Sequence, residues 1–358
     1  MLETKRFSPP KQRAFDARFE AQKIAFGPVV FHCVRYAWKR GMLQALGEAG
    51  ERGVTLDELE ASGRWSRYAL KLVLESCLSA GVVLIEGGRW QLDKTGFCLI
   101  SDDITRVNYD FIHDVCYRGL FELERSLDAG KPLGLMHLGD WSSIYPALAD
   151  LPEPAKSSWF AFDHHYSDTS FPDILPDVFA TAPRRLMDIG ANTGKFSVAA
   201  LGYDARVELH LVDLPQQLAV ADANLASQSL RGRAQLHPRN LLDAATTLPG
   251  GMDMVWMSQF LSCFGEAEIA RIFQRVADCL ADNGQVLVMD TFWDRQRYDI
   301  AAYCLINTSP YFTAMASGNS KVYESADYVR LAEAAGLRLL TARDGIGYCH
   351  SLLRFARA

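Results

Sequence analysis

The chain has 358 residues, longer than one core usually supports, so two domains are expected. With 49% hydrophobic and 22% charged residues it has the make-up of an ordinary globular protein, which excludes fibrous and disordered classes. A formal net charge of -6 speaks against a nucleic-acid binder tracking phosphates, and no apolar run reaches the roughly 18 to 20 residues of a membrane span.

The first stretch, MLETKRFSPPKQRAFDARFE, is charged throughout without an apolar centre, so no secretory signal is expected there. Eight cysteines stand singly, at Cys33, Cys77, Cys98, Cys116, Cys263, Cys279, Cys304 and Cys349. None forms a CxxC pair or a zinc-spaced cluster; they read as reduced thiols of a cytoplasmic protein, and no metal is expected. Thr55 and Glu58 in VTLDELEASG form a capping-box pattern opening a short helix. RYALKLVLESCLSAG repeats apolar residues at helical spacing and stops at Gly81. VVLIEGGRWQL predicts two strands around the turn Gly87-Gly88. Helix, helix, hairpin is the order of a winged helix. Such a unit either binds DNA or serves for dimerisation and as a substrate lid; SRYALKLVLES offers only Arg67 and Lys71 to phosphate, which favours the second. Helical patterns follow from Ile104 to Leu127 and from Pro154 to Asp168, and Pro172, Pro176 and Pro183 mark a boundary.

From Leu186 the rhythm changes. RRLMDIG, VELHLVDLP, RAQLHPRNLL, MDMVWMSQ and QVLVMDTFW read as strands, and KFSVAALGY, QQLAVADANLASQ and EAEIARIFQRVADCLA as helices. A further helix, YVRLAEAAGL, and the strands LRLLTAR and SLLRFAR complete the chain. This alternation predicts an α/β, Rossmann-like, doubly wound and mostly parallel sheet, preceded by a mostly helical winged-helix domain. The expected boundaries are a dimerisation domain over residues 1–105, a helical connector and lid over 106–180, and the α/β domain over 181–358.

DIGANTG lies between the first strand and its helix, where open parallel sheets bind ligands. Gly190 and Gly194 let backbone approach a ligand, and Asn192 suits the tightest point of the turn. The glycine order is not the GxGxxG of dinucleotide sites, and Asp188 inside the turn would repel a pyrophosphate. An acid there suits a cationic ligand. Asp213, closing LHLVDLP at the end of the second strand, is placed to bind ribose hydroxyls.

DIGANTG resembles the DxGxGxG signature of class I methyltransferases, and VDLP resembles the same run in the small-molecule O-methyltransferase family; the likeness spans roughly residues 25 to 355. The resemblance implies S-adenosyl-L-methionine as cofactor, S-adenosyl-L-homocysteine as product, and a homodimer. It places Asp188 and Gly190 beside the methionine moiety, Asp213 with Leu214 at the ribose, Asn240 and Leu241 beside the adenine, and Ser258 and Gln259 along the cofactor.

At the acceptor end the likeness departs. Where plant-like members carry a catalytic histidine, FLSCF carries Ser262, and the acid that would steady that histidine matches Asp290. Deprotonating a phenol therefore needs another base or a nearby positive cofactor. His164 and His165 in FDHHYSD are the candidate bases, with Asn307 and Asp290 orienting. Tyr303, Asn307 and Tyr311 recur at i, i+4 and i+8, a spacing read either as a packed face or as a pocket wall. The aromatic-rich stretches around His113, Tyr117 and Phe162 point to a flat, apolar acceptor, phenolic or otherwise conjugated, free or tethered to a carrier protein. FLSCF and SPYFTAMASGNSKVY also resemble methyltransferases of bacterial aryl-polyene and flexirubin-type pigment synthesis, which implies methylation of a phenolic head group on oxygen or ring carbon. Two other readings stay open: the same fold and cofactor with decarboxylation or rearrangement chemistry, and a winged-helix transcriptional regulator.

Overall fold

The computed structural model describes residues 13–167 and 170–358. The opening stretch lies outside the described residues as far as residue 12, as do Asp168 and Thr169, the first of which ends FDHHYSD. The chain divides into two compact units, one ending at residue 110 and the other running over residues 111–358.

The first unit starts with helices Ala14–Lys39, Met42–Ala49, Leu56–Ala61 and Arg67–Ser79, and the left-handed Gly41 (φ 78°) separates the first two. Leu56–Ala61 is opened by the capping box: the Glu58 N–H donates to Thr55 Oγ1 at 3.1 Å, and the Thr55 N–H to Glu58 Oε2 at 2.8 Å. Strands β1 (Val83–Glu86) and β2 (Arg89–Leu92) pair antiparallel across Gly87 and Gly88, both with positive φ, as a tight two-residue turn demands. Val54 adds a bridge to Trp90, completing a winged-helix arrangement. Helices Lys94–Ser101 and Asp103–Phe111 follow. The core gathers Trp38, Leu43, Leu46, Leu70, Leu74 and Trp90. Arg67, one of two cations available to a DNA contact, is engaged by Asp57 and Glu60. Along helix Ala14–Lys39, Phe15, Phe19, Phe26, Val29 and Tyr36 are exposed and at about 100° per residue fall on one side of it, while the exposed Ile24 points the opposite way.

The second unit is built on seven strands: β3 (Arg185–Ile189), β4 (Glu208–Asp213), β5 (Ala234–Pro238), β6 (Met252–Ser258), β7 (Leu280–Asp290), β8 (Leu337–Ile346) and β9 (His350–Arg357). Their order is β5-β4-β3-β6-β7-β9-β8, parallel from β5 to β7, with β8 and β9 antiparallel at the far edge. Side chains alternate between two cores: Met254 and Trp256 of β6 with Leu287 of β7 on one face, Val255 and Met257 with Val286 and Val288 on the other. Both faces are covered, so these strands read as near-continuous apolar runs. Each fully buried side chain of this kind contributes about 1.5–3 kcal/mol over an exposed one. The strand order reverses between β3 and β6, and the carboxyl ends of those two strands open the crevice where open sheets bind ligands. Helices Ala155–Ser167 and Asp299–Tyr311 belong to the same unit, and an aromatic core of Phe111, Tyr311, Trp159 and Phe162 joins them. Among the described residues no helix is long and apolar enough to cross a membrane.

Candidate functional site

β3 delivers Asp188 to its end almost fully buried, 2% exposed, with the Ser197 hydroxyl donating to Oδ2 at 2.7 Å. The backbone then turns through three residues of positive φ: Gly190 (76°), Asn192 (49°) and Gly194 (76°). At Gly190 a Cβ would lie 2.4 Å from the Phe260 ring, so the site demands glycine twice over, by conformation and by space. The turn is tied to the neighbouring strand end: the Asn192 N–H donates to Asp213 Oδ2 at 2.8 Å, and the Leu214 N–H to Oδ1 at 2.7 Å. One carboxylate thus holds the loops after β3 and after β4 in register.

Burial sets the electrostatics of these acids. It raises the Asp188 carboxyl to about 7, opposed by the Ser197 hydrogen bond and reinforced by the charge of Asp213. It also raises Asp213, against the pull of the two amides. A cation beside the buried Asp188 would offset the cost that burial places on its charge.

The other end of the crevice is built on an acid rather than a glycine turn: Asp290, 1% exposed, closes β7. The Thr291 N–H donates to Asp290 Oδ1 at 2.8 Å and the Tyr328 hydroxyl to Oδ2 at 2.9 Å, and Ser262 adds its amide and hydroxyl. Burial outweighs these donors and lifts the carboxyl to about 6. Burial also pushes the Cys263 thiol up to about 12, which keeps it protonated and unreactive. Around this end, Phe111 and Phe162 stack at 4.0 Å, Tyr311 meets Phe111 edge-on at 5.0 Å, and the Trp159 indole N–H donates to the Tyr311 hydroxyl at 2.7 Å. Both ends open into one cavity of about 720 Å³.

Of the residues expected from the sequence, Asp188, Gly190, Asn192, Asp213, Leu214, Asn240, Leu241, Ser258 and Gln259 line this cavity, as do His164, Phe162, Ser262, Asp290 and Tyr311. Gly194 does not line it; it packs against Ala221 and shapes the turn. Five expectations are corrected. His165 turns away and stacks on Tyr348 at 5.0 Å. Asn307 is exposed and donates its amide to the Tyr303 carbonyl at 2.8 Å, and Tyr303 is itself 59% exposed. The reason is helical drift: at about 100° per residue, Leu305, Thr308 and Phe312 form the inward side, and only Tyr311 of the i, i+4, i+8 series reaches it. His113 contacts Asp114 at 2.6 Å outside the cavity, and Tyr117 is half-buried outside it. Sequence reading missed Trp159, Tyr145, Thr308, Trp256 and Lys195, which also line the cavity. Of these, Trp159 lay within an aromatic-rich stretch that was read only as a whole, and Lys195 left a local signal, a cation directly after the glycine loop. Among the described residues no group of three or more His, Cys, Asp or Glu could hold a metal ion.

Two family descriptions match: a Dimerisation2-like domain over residues 18–90 and a methyltransferase domain over residues 187–286. The chain is 32% identical over 118 residues to demethylspheroidene O-methyltransferase of Cereibacter sphaeroides, covering 33% of this chain and 31% of that one. It is 26% identical over 129 residues to 3-hydroxy-5-methyl-1-naphthoate 3-O-methyltransferase of Streptomyces sahachiroi, covering 36% and 37%. These matches span about a third of the length of either relative. The crystal structure of the S-adenosylmethionine-dependent methyltransferase SibL superposes with a TM-score of 0.69 at 21% identity, over 94% of this chain and 98% of that one. The chain thus joins a Dimerisation2-like domain to a methyltransferase domain and has the fold of S-adenosylmethionine-dependent small-molecule methyltransferases.

Proposed function

We propose that the protein methylates a hydroxyl oxygen on a flat aromatic small molecule, with S-adenosylmethionine as methyl donor. The observation that carries this reading is one cavity with two chemically different ends, a buried acid-lined turn and an aromatic slot. The residues present fit the cofactor: Asp188 suits its ammonium group, Asp213 its ribose hydroxyls, and Asn240 with Leu241 its adenine edge. Bound there, the cofactor would supply an electrophilic methyl group on a sulfonium.

The chain's own part is positioning and proton removal. Phe162, Tyr311 and Trp159 hold a planar ring by stacking and edge contacts. Asp290 takes the proton of the acceptor hydroxyl as the new oxygen–carbon bond forms, and Ser262 orients that carboxylate. A carboxyl poised near 6 is mostly ionised at neutral pH, as a general base must be. The naphthoate named for the Streptomyces relative is a reasonable model of the acceptor class.

We further propose a homodimer formed through the exposed apolar side of helix Ala14–Lys39, and a cytoplasmic setting consistent with eight free cysteines. The test is a mass-spectrometric screen of hydroxylated naphthoates and phenols with isotope-labelled cofactor. Label in the product, with one S-adenosylhomocysteine released per methyl transferred, supports the reading. Substrate loss without S-adenosylhomocysteine would show decarboxylation or rearrangement instead.

A further inference from the structure

We propose that Lys195 and His164 form a carboxylate-binding pole that holds the amino-acid carboxylate of the cofactor, opposite Asp188; this rests on the cofactor reading above. Lys195 is the first residue of helix Lys195–Tyr203. The first amides of a helix lack internal partners and carry the positive end of its dipole, which suits an anion. The chain adds an ammonium at this point and brings a second nitrogen base to it: Lys195 Nζ lies 3.2 Å from His164 Nδ1, from a helix 31 positions earlier. An ammonium can only donate, so Nδ1 accepts and the ring proton sits on Nε2. The pair therefore brings donors to the cavity that both residues line.

The acid stands across the same turn. Asp188 accepts from Ser197, two positions beyond Lys195. Trp256, in register with Asp188 on β6 and stacked on Phe196 at 4.5 Å, is fully buried and lines the cavity. Its indole N–H meets no acceptor among the described residues. The acid Asp188 and the donors Lys195, His164 and Trp256 line one cavity around one turn, the two kinds of group that the zwitterionic end of an amino acid calls for. This assignment removes His164 from the candidate bases, because its Nδ1 lone pair already serves Lys195.

A carboxylate on the acceptor could use the same donors, and titration calorimetry distinguishes the two sources. The ligands are S-adenosylmethionine, its decarboxylated analogue, and a hydroxynaphthoate with and without its carboxylate. Wild type should bind the intact cofactor about 10- to 100-fold more tightly than the decarboxylated form. Lys195→Met should remove that preference by weakening the intact cofactor alone, and Lys195→Arg should restore most of it. Equal weakening of both cofactor forms would indicate a structural role and overturn the proposal. So would unchanged cofactor binding with selective loss of the carboxylated acceptor. Failure of wild type to bind either cofactor form would instead overturn the cofactor reading beneath it.

Discussion

The two ends of the cavity are built by different means. The cofactor end is made of backbone: three positive-φ residues in a run of five and one carboxylate that holds two loops, all within residues 188–214. The acceptor end is made of side chains from at least four separate segments, with Phe111, Trp159, Ser262, Asp290 and Tyr311 meeting only after folding. Backbone-defined sites are constrained residue by residue, whereas side-chain walls admit many solutions. The first kind is open to direct reading and the second is where specificity changes.

If Asp290 is the base, the acceptor end should be the more sensitive to a single atom. Asp290→Asn should lower kcat by about 10²- to 10⁴-fold while leaving cofactor affinity within a few-fold of wild type, measured by steady-state kinetics and calorimetry. The wild-type rate should rise with pH through about 6 as the carboxyl ionises, and that limb should vanish in the variant. A parallel loss of cofactor affinity would erase the division between the two ends.

The cofactor end should reveal itself through protons. The Asp188 carboxyl sits near 7 in the folded protein and near the usual carboxylate value when unfolded. The folded state therefore binds the extra proton between those two values, so stability without cofactor should fall as pH rises through this window. A bound ammonium favours the ionised carboxyl, so cofactor affinity should increase as pH rises toward 7, with proton release. Calorimetry in two buffers of different ionisation enthalpy measures that release, and Asp188→Asn should abolish it.

The smallest effects are expected at the positions that fold outside the cavity. Tyr303→Ala, Asn307→Ala and His165→Ala should each leave kcat/KM within about 3-fold of wild type, since side chains away from special features change little. A large loss at Asn307 would restore the orienting role that its spacing suggests.

How much could be read from the sequence follows the same division. The sheet, its helices and DIGANTG were legible because apolar runs and glycine placement are local signals. Asp213 was legible because a strand ends on it. The Tyr303, Asn307 and Tyr311 series misleads because a spacing of four gains about 40° per step against the helix. Trp159 lay in an aromatic-rich stretch that pointed to the acceptor without singling it out, and Tyr145 gave no signal, since nothing in its neighbours says which tertiary wall it joins. His165 illustrates the limit of a doublet: adjacent helical residues point about 100° apart, and here His164 lines the cavity while His165 stacks on Tyr348.

The most direct test of the central claim is calorimetric titration of S-adenosylmethionine into wild type and Asp213→Ala. Asp213 both anchors the turn and lines the cavity where the ribose would lie, so the variant should bind at least about 30-fold more weakly. Absence of binding to wild type, or undiminished binding to the variant, would contradict the assignment of this cavity to the cofactor.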